Sequence, residues 1–389
     1  MTQIKENVYW AGYIDWDLRN FHGYSTPYGS TYNSYLILDE QPTLIDTVKH
    51  YGADEMISRI KNIIDPAKIA YIISNHTEMD HSGSIDTLLE LCPNATVVAS
   101  PIGEKHLKLH FKKDWKIKVV DTGSELSIGK RTLKFFTMPM VHWPDSMATY
   151  LPQDKILFPN DAFGQHYASK ERFCDEVGAD IIFREAAKYY ANIVMPYGAQ
   201  VQKVLGALAG IEFDTICPSH GLIWRGKENI EKIITLYRQW SSYTPNKQAV
   251  IIYDTMWHST ETMAKTLYRH LNENVPTTLM NLQDSHISDA VTEVMLSKLV
   301  FFGTPIMNSR MLPSMGGLLT YLKGLKPKNR CAFTFGSYGW SSAGFKEVEA
   351  YVEEAGMELK AFGSYFQFIP GENELNSLKE LAQTAIKSL

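Results

Sequence analysis

The chain has 389 residues, of which 44% are hydrophobic and 21% are charged, and its formal net charge is −5. This length exceeds what a single hydrophobic core usually serves, so two domains are expected, and the lack of a basic run makes a nucleic acid an unexpected partner. Because no apolar stretch reaches membrane-spanning length and the N-terminus has no signal-peptide core, we expect no membrane partner and a cytoplasmic location.

The first part of the chain contains short strand-like runs that alternate with turns and a few helices. These runs are Tyr35–Leu38, Thr43–Ile45, Ile69–Ile73, Thr96–Ala99, Leu133–Thr137 and Ile156–Phe158. This mixture predicts two sheets packed face to face with helices outside them, an α+β sandwich.

A polar, proline-bearing stretch at residues 240–247 separates a helical pattern from the strand-like run Ala249–Tyr253. It predicts a domain boundary, with one domain at 1–246 and another at 247–389. Strands and helices alternate after it, at Ala249–Tyr253, Thr262–Leu271, Thr277–Asn281, Asp289–Leu296, Leu299–Phe302, Gly317–Leu322, Cys331–Phe335, Lys346–Glu354 and Glu358–Phe362. This order predicts an α/β domain with a doubly wound parallel sheet.

Four side chains that commonly bind metals follow the apolar run Ile69–Ile73, namely His76, Glu78, Asp80 and His81. Clustered buried charge is unfavourable unless a metal neutralises it, so this spacing indicates a metal site. While the chain stays extended, alternation puts His76, Glu78 and Asp80 on one side, and His81 turns inward as the next helix begins. A polar loop after a buried strand is the alternative, which four such residues within six positions disfavour.

Three further candidates, His142, Asp161 and His220, each follow another apolar run. Since each lies just beyond a strand end, one edge of the sandwich can gather all seven side chains. Seven ligands are too many for one zinc with an open position, but they suit two metals that share a bridging carboxylate. The same seven residues are therefore the catalytic candidates.

In the second half, three loops follow strand ends, on the edge where doubly wound sheets bind ligands. The first is rich in hydroxyls and enters a helix, which is typical of a phosphate site, although simple helix capping is an alternative. Neither a Walker lysine nor a G-x-G-x-x-G motif is present, which argues against a nucleoside triphosphate or NAD. Trp257 and Trp340 are placed to stack on a ring. We expect these loops to bind a ligand that has a phosphate and an aromatic ring system. The residues expected to contact it are Thr255, Met256, Trp257, His258, Ser259, Thr260, Thr304, Pro305, Asn308, Ser337, Tyr338, Gly339 and Trp340.

A strand followed by H-x-x-x-D-H and by distant His, Asp and His residues resembles the metallo-β-lactamase fold. Hydrolytic members of that fold have a second histidine where this chain has Glu78, and the additional carboxylate favours iron over zinc. The H-x-E-x-D-H form with His142, Asp161 and His220 is similar to the flavodiiron proteins, also called A-type flavoproteins. This resemblance covers essentially the whole chain. It implies a metallo-β-lactamase-like αββα sandwich followed by a flavodoxin-like FMN-binding domain.

The resemblance also implies a role for each ligand. One iron, nearer the flavin, would be held by His76, Glu78 and His142, the other by Asp80, His81 and His220, and Asp161 would bridge them. In some members the histidine equivalent to His81 is swung away. The three loops resemble flavodoxin-like FMN loops, except that His258 stands where flavodoxins usually have glycine. His22, His166 and Tyr197 either border the metal pocket or are ordinary polar residues.

The implied activity passes electrons from a separate donor through FMN to the two irons, which reduce O2 to water, NO to N2O, or both. No rubredoxin or NAD-binding extension follows the second domain, so the expected donor is a separate rubredoxin or reduced coenzyme F420. The resemblance implies a head-to-tail homodimer or homotetramer. Two alternatives remain open, a zinc hydrolase with an accessory flavodoxin-like domain and a flavodoxin-like carrier with a vestigial metal site.

Overall fold

The structure is a computed structural model that describes residues 2–360 and 363–389. It contains two compact units. The first comprises residues 1–21, 26–189 and 199–238, and the second comprises residues 22–25, 190–198 and 239–389. The boundary expected between residues 246 and 247 stays a prediction.

The first unit is built on a seven-stranded sheet whose central strands are buried on both faces. Alternate residues of a strand point to opposite faces, so a strand covered on both sides reads as a continuous apolar run. Ile73 and Val98 lie in the core on one face, whereas Ile72 and Val97 lie in the core on the other. In spatial order the strands are Gln3–Lys5, Val8–Trp10, Tyr35–Ile37, Thr43–Ile45, Tyr71–Ser74, Thr96–Ala99 and Ile117–Val119.

A six-stranded sheet packs against one face of the first sheet, because residues of both sheets share one core. Phe135, Met147 and Phe158 enter this core from the six-stranded sheet and are buried. Its strands, in spatial order, are Glu125–Ser127, Thr132–Thr137, Met147–Leu151, Ile156–Phe158, Thr215–Ile216 and Trp224–Arg225.

Helices cover the opposite face of the first sheet. Met56 and Ile60 of helix Ala53–Lys61 and Leu107 of helix Pro101–Phe111 join Leu36, Ile72 and other strand residues there. The remaining α-helices that begin before residue 240 are Met79–Ser82, Ile85–Leu91, Ala179–Tyr189, Gly198–Ala207 and Lys227–Ser241. On the six-stranded sheet, Phe183 of helix Ala179–Tyr189 packs against Trp224, with ring centroids 5.1 Å apart. Since helices lie on the outside of both sheets, the predicted αββα sandwich is confirmed.

The second unit contains a sheet whose pairs are all parallel. Numbered along the sequence of this sheet, the second strand lies at the edge, the first lies beside it, and the third and fourth follow. This is the strand order of flavodoxin-like folds. In spatial order the strands are Thr277–Asn281, Asn246–Tyr253, Ser297–Gly303 and Cys331–Tyr338, and Glu358–Leu359 and Ser364–Gln367 both pair with the last of these. The helices are Ser259–Asn272, Ile287–Leu296, Pro313–Leu325, Gly344–Glu354 and Glu372–Ile386. The predicted α/β domain is confirmed.

The remaining elements are short. Strands lie at Tyr13–Asp15, Asn20–Phe21, Tyr24–Ser25, Ser30–Tyr32, Ile306–Met307 and Arg310–Met311. Single turns of 3₁₀ or π-helix lie at His50–Gly52, Pro66–Lys68, Pro152–Asp154, Cys174–Glu176, Tyr190–Val194 and Met195–Tyr197. The predicted strand Glu358–Phe362 is observed as Glu358–Leu359, and its last two positions lie outside the described residues. None of the described helices has the length and apolar character needed to cross a membrane.

Candidate di-metal centre and flavin cavity

The sandwich brings the ends of four strands together at the metal-binding candidates. His76 follows strand Tyr71–Ser74 of the first sheet. In the second sheet, the strands that precede His142, Asp161 and His220 run in the same direction, because two antiparallel pairings and one parallel pairing relate them. Their carboxyl ends therefore lie at one edge of the sheet. This explains how residues up to 144 positions apart reach one site.

The seven side chains form two groups, within each of which the ligand-type atoms lie no more than 4.8 Å apart. The first group is His76, Glu78, His142 and Asp161, and the second is Asp80, His81 and His220. All are buried except Glu78 and His142, which are partly buried. The structure thus brings together every metal-binding candidate.

Asp161 lies between the two groups and directs one carboxylate oxygen toward each. Its Oδ2 is 3.2 Å from Nε2 of His142 and 3.6 Å from Nε2 of His76. Its Oδ1 is 3.1 Å from Nε2 of His81 and 3.4 Å from Nε2 of His220. This is the arrangement that a carboxylate bridging two metals requires.

The local backbone differs from the expected extended chain. The strand ends at Ser74, and Asp80 and His81 lie on a short helix, Met79–Ser82, that begins directly after Glu78. Helical geometry turns Asp80 away from Glu78, so the two carboxylates join different groups. The expectation of His76, Glu78 and Asp80 on one side of an extended segment was wrong. His81 is turned into the site, as its contact with Asp161 demonstrates.

Buried polar atoms without partners provide a test of whether these residues fit metal ions. Both carboxylate oxygens of Asp80, both ring nitrogens of His81 and Oδ2 of Asp161 are buried and form no hydrogen bond of acceptable geometry with the described residues. The groups that approach three of these atoms to 3.1–3.2 Å are other metal-binding candidates. Buried polar atoms of this kind are unfavourable unless something else satisfies them. A set of four imidazoles and three carboxylates suits iron-type cations, so the residues fit a di-metal centre.

The electrostatics of the site agree with this fit. Burial lowers the pKa of His142, but its contacts with Asp161 and Glu78 outweigh burial and raise the pKa to about 9. Burial likewise lowers the pKa of His220, and contacts with Asp161 and Asp80 raise it to about 10. Burial raises the pKa of Glu78, but His142 and His76 hold it below its ordinary value. In this site, positively charged imidazoles stabilise the carboxylates. A metal ion that binds the same imidazoles displaces their protons and stabilises the carboxylates in their place.

Sequence reasoning missed three supporting groups. Nδ1 of His76 donates to Oδ2 of Asp145 at 3.1 Å, and Nδ1 of His220 donates to the carbonyl of Thr31 at 2.7 Å. These bonds leave Nε2 of each ring for the metal. The Tyr189 hydroxyl donates to Oδ1 of Asp161 at 3.0 Å. The position of Asp145, three residues after His142, was the one available signal; nothing in the sequence marked Thr31 or Tyr189.

The three residues expected to border the pocket differ in their placement. His166 is buried, and its ring centroid lies 4.8 Å from that of His220. Its Nδ1 is 2.7 Å from the hydroxyl of Ser30. His22 is exposed with a left-handed backbone, and Tyr197 ends a 3₁₀ turn. Of the three, His166 is placed beside a metal-binding candidate by its contacts.

The second unit contains a cavity of about 590 Å³, a volume within the usual range for small-molecule sites. Nine of the thirteen predicted flavin contacts line it, namely Met256, Trp257, Ser259, Pro305, Asn308, Ser337, Tyr338, Gly339 and Trp340. The cavity is also lined by four residues that the sequence did not single out, Ile306, Met307, Phe368 and Ile369. The three strand-end loops thus form one site.

The other four candidates lie outside this lining. Thr260 is buried, 3.2 Å from the hydroxyl of Ser337, and Thr304 donates to the carbonyl of Pro305. The Thr255 hydroxyl is buried and has no hydrogen-bond partner among the described residues, which suits an anionic ligand. His258 points outward to Glu261 at 2.7 Å, and its φ of 64° explains why glycine is usual at this position.

Together, these features define a class of proteins that combine a di-metal site with a flavin site in one chain. A lactamase-like sandwich carries a carboxylate-bridged pair of ligand groups, and a flavodoxin-like unit in the same chain carries a cavity suited to a flavin mononucleotide. Residues 31–221 match the family described as ODP family beta lactamase, and residues 251–378 match the family described as Flavodoxin.

Two curated relatives are similar to nearly the whole chain. The nitric oxide reductase of Moorella thermoacetica is 42% identical over 98% of this chain and 96% of its own length. The rubredoxin-oxygen oxidoreductase of Megalodesulfovibrio gigas is 39% identical over 100% of this chain and 98% of its own. The crystal structure of the flavodiiron protein from Giardia intestinalis superimposes with a TM-score of 0.96, at 36% identity, over 99% of this chain and 97% of that one.

This chain therefore belongs to the flavodiiron protein family and is an oxidoreductase. The flavodoxin match and these relatives favour this function over the zinc hydrolase, and the seven assembled ligands disfavour a vestigial metal site.

Proposed function

We propose that this protein passes electrons from a separate donor through FMN to a di-iron centre, which reduces O2 to water, NO to N2O, or both. The observation that carries the proposal is the position of Asp161 between two ligand groups, in the same chain as a flavodoxin-like cavity. The substrates follow from the names of the relatives, one a nitric oxide reductase and the other a rubredoxin-oxygen oxidoreductase.

Each ligand group would hold one iron, with Asp161 shared between them. Bound together, two irons and one FMN supply four electrons, which is the number that reduction of O2 to two waters consumes. The residues of the chain bind and orient these cofactors. Asp145 and Thr31 fix the rings of His76 and His220 so that Nε2 faces inward. In the second unit, Ser259 at the start of a helix suits the FMN phosphate, since helix N-termini favour anions.

The rim of the flavin cavity supports the rest of the proposal. Trp257 and Trp340 are 84% and 90% exposed, and Phe368 and Ile369 beside the same cavity are also exposed. Contiguous apolar surface of this kind marks interaction sites. A second copy of the chain, arranged head to tail in a homodimer or homotetramer, would cover this rim and bring its irons to the flavin. The proposed donor is a rubredoxin or reduced coenzyme F420, and the cytoplasmic location stays a prediction.

Cofactor analysis combined with gas turnover tests this function. Protein expressed with sufficient iron should contain two irons and one FMN per chain, and the reduced protein should consume O2, NO or both. Measuring both gases with one donor ranks the two substrates. Full zinc occupancy together with hydrolysis of a thioester or a lactam would contradict the proposal.

A further inference from the structure

One histidine in each ligand group donates a hydrogen bond from Nδ1, and the two acceptors differ in charge. In the first group, Nδ1 of His76 donates to a carboxylate oxygen of Asp145 at 3.1 Å, and both side chains are fully buried. In the second, Nδ1 of His220 donates to the neutral backbone carbonyl of Thr31 at 2.7 Å. The imidazole of His76 thus donates to a charged acceptor, whereas the imidazole of His220 donates to an uncharged one.

Asp145 is held by groups that are not metal ligands. The backbone N–H and the hydroxyl of Thr77 both donate to its Oδ2 at 2.8 Å. Its backbone carbonyl accepts a hydrogen bond of 2.7 Å from Ser100, and its Oδ1 lies 3.5 Å from Nδ1 of His106. These contacts with Thr77, Ser100 and His106 therefore fix the carboxylate of Asp145 in the position from which it orients His76.

We propose that Asp145 is a positioning residue that sets the affinity and the reduction potential of the metal held by His76, Glu78 and His142. A carboxylate hydrogen-bonded to Nδ1 fixes the ring and makes Nε2 a stronger donor to the metal. A stronger donor stabilises the more highly charged ion, so the half-reduced centre should keep its ferric ion at this position. The two metal positions are then inequivalent. This inference rests on the di-iron centre of the proposed function.

The test compares Asp145→Asn with Asp46→Asn in the full-length protein. Asp145→Asn keeps the size of the side chain and removes its charge. Asp46 is a matched control, since it is also a buried carboxylate of this region, but its side-chain hydrogen bonds go to amides of Asn75 and Asn160. Metal-depleted protein is titrated without oxygen with Co²⁺, whose absorption spectrum reports each binding step. Iron-loaded protein is then titrated with reductant and followed by EPR and Mössbauer spectroscopy.

Asp145→Asn should weaken one of the two Co²⁺ binding steps by about ten- to one-hundred-fold and leave the other unchanged. It should also raise the potential of one iron couple and not the other. Asp46→Asn should leave unchanged the step that Asp145→Asn weakens, because the carboxylate of Asp46 is hydrogen-bonded to Asn75 and Asn160 and not to His76. Unchanged affinities and potentials in Asp145→Asn would overturn the inference, and so would an equal loss at both steps.

If Asp145→Asn does not fold, Thr77→Val is tested in its place. This variant removes one hydrogen bond to Asp145 and keeps the carboxylate. A smaller loss confined to the same binding step supports the inference, and unchanged binding overturns it. If the unsubstituted protein binds fewer than two metals, the proposed function itself fails. The two failures are therefore distinguishable.

Discussion

Tyr189 donates a hydrogen bond of 3.0 Å to Oδ1 of Asp161, the oxygen that also faces His81 and His220. This bond orients the carboxylate that, among the described residues, approaches histidines of both ligand groups. Tyr189→Phe should therefore lower gas turnover by about ten-fold or more while the fold is retained. The measurement is steady-state consumption of O2 and NO, normalised to bound iron.

Tyr35→Phe is the control for this substitution. Tyr35 is equally buried, and its hydroxyl donates to the carbonyl of Pro218 at 2.6 Å rather than to a metal-binding side chain. It should cost stability without a comparable loss of turnover per iron. Equal losses in both variants would mean that Tyr189 contributes to packing alone.

Asp161→Ala should remove iron from both positions, whereas Glu78→Ala should remove it mainly from one. The reason is that Asp161 approaches histidines of both groups, while Glu78 lies 3.4 Å from His76 and from His142 of the first group only. Elemental analysis of the purified variants gives the iron content per chain. Two irons and normal turnover in Asp161→Ala would show that it does not bridge the metals.

The sequence could point to the seven metal-binding candidates because each follows a strand end, a local signal that periodicity reveals, and the structure brings these candidates together. That they bind metal ions stays a prediction. The spacing of these residues alone does not show how they divide between the two groups, whereas the family resemblance implied the same division that the structure has. Helix Met79–Ser82 decides that division, and four residues are too short a stretch for a periodic pattern. Tyr189 reaches Asp161 from a distant helix, and Thr31 acts through its backbone, so neither contact has a sequence signal.

Removing metal should destabilise the sandwich selectively, because the buried atoms of Asp80 and His81 form no hydrogen bond with the described residues that could replace the metal. A ligand at one hundred times its dissociation constant stabilises the folded state by about 2.7 kcal/mol. Calorimetry with and without an iron chelator should show a lower Tm for one transition. The stabilisation should decrease as the pH falls, since protons compete with the metal for the imidazoles. A Tm that is the same with and without chelator would contradict metal binding here.

Trp340→Ala should weaken FMN binding by about two- to ten-fold, the value of one aromatic stacking contact. The side chain is 90% exposed, so its removal should leave the fold intact. Fluorescence quenching during reconstitution of the flavin-free protein with FMN measures the affinity. Trp16→Ala is the control, since Trp16 is 53% exposed and lies in the other unit. Equal FMN affinities for the two variants would show that Trp340 does not contact the flavin.

The flavin loops could be predicted from strand ends, but the cavity also contains Phe368 and Ile369. These follow strand Ser364–Gln367, which sequence periodicity did not reveal because its residues are half-exposed. His258 was difficult for a different reason. The sequence identifies the residue, whereas only the structure reveals its left-handed backbone and outward side chain.

Electrons are expected to pass from the flavin of one subunit to the irons of another. The iron ligands lie in the first unit and the flavin cavity in the second, and a head-to-tail dimer would pair them across an interface. His142→Ala should disable the iron site of one chain. Ser259→Glu should repel the FMN phosphate in another chain, and Thr260 stays unchanged because it is fully buried. Each variant alone should be inactive.

A mixed dimer of these two variants would contain one interface where an intact flavin faces an intact iron site. If electrons cross between subunits, that interface should work and recover up to about half of the activity of a normal dimer. The measurement is O2 consumption by purified mixed dimers, carrying two different affinity tags, with a rubredoxin-type donor. The FMN content must equal half of the normal value, and the iron content must equal the mean of the contents of the two variants, so that assembly is certain. Inactive mixed dimers with these contents would place the electron path within a single chain, because only the crossed path joins the two intact sites.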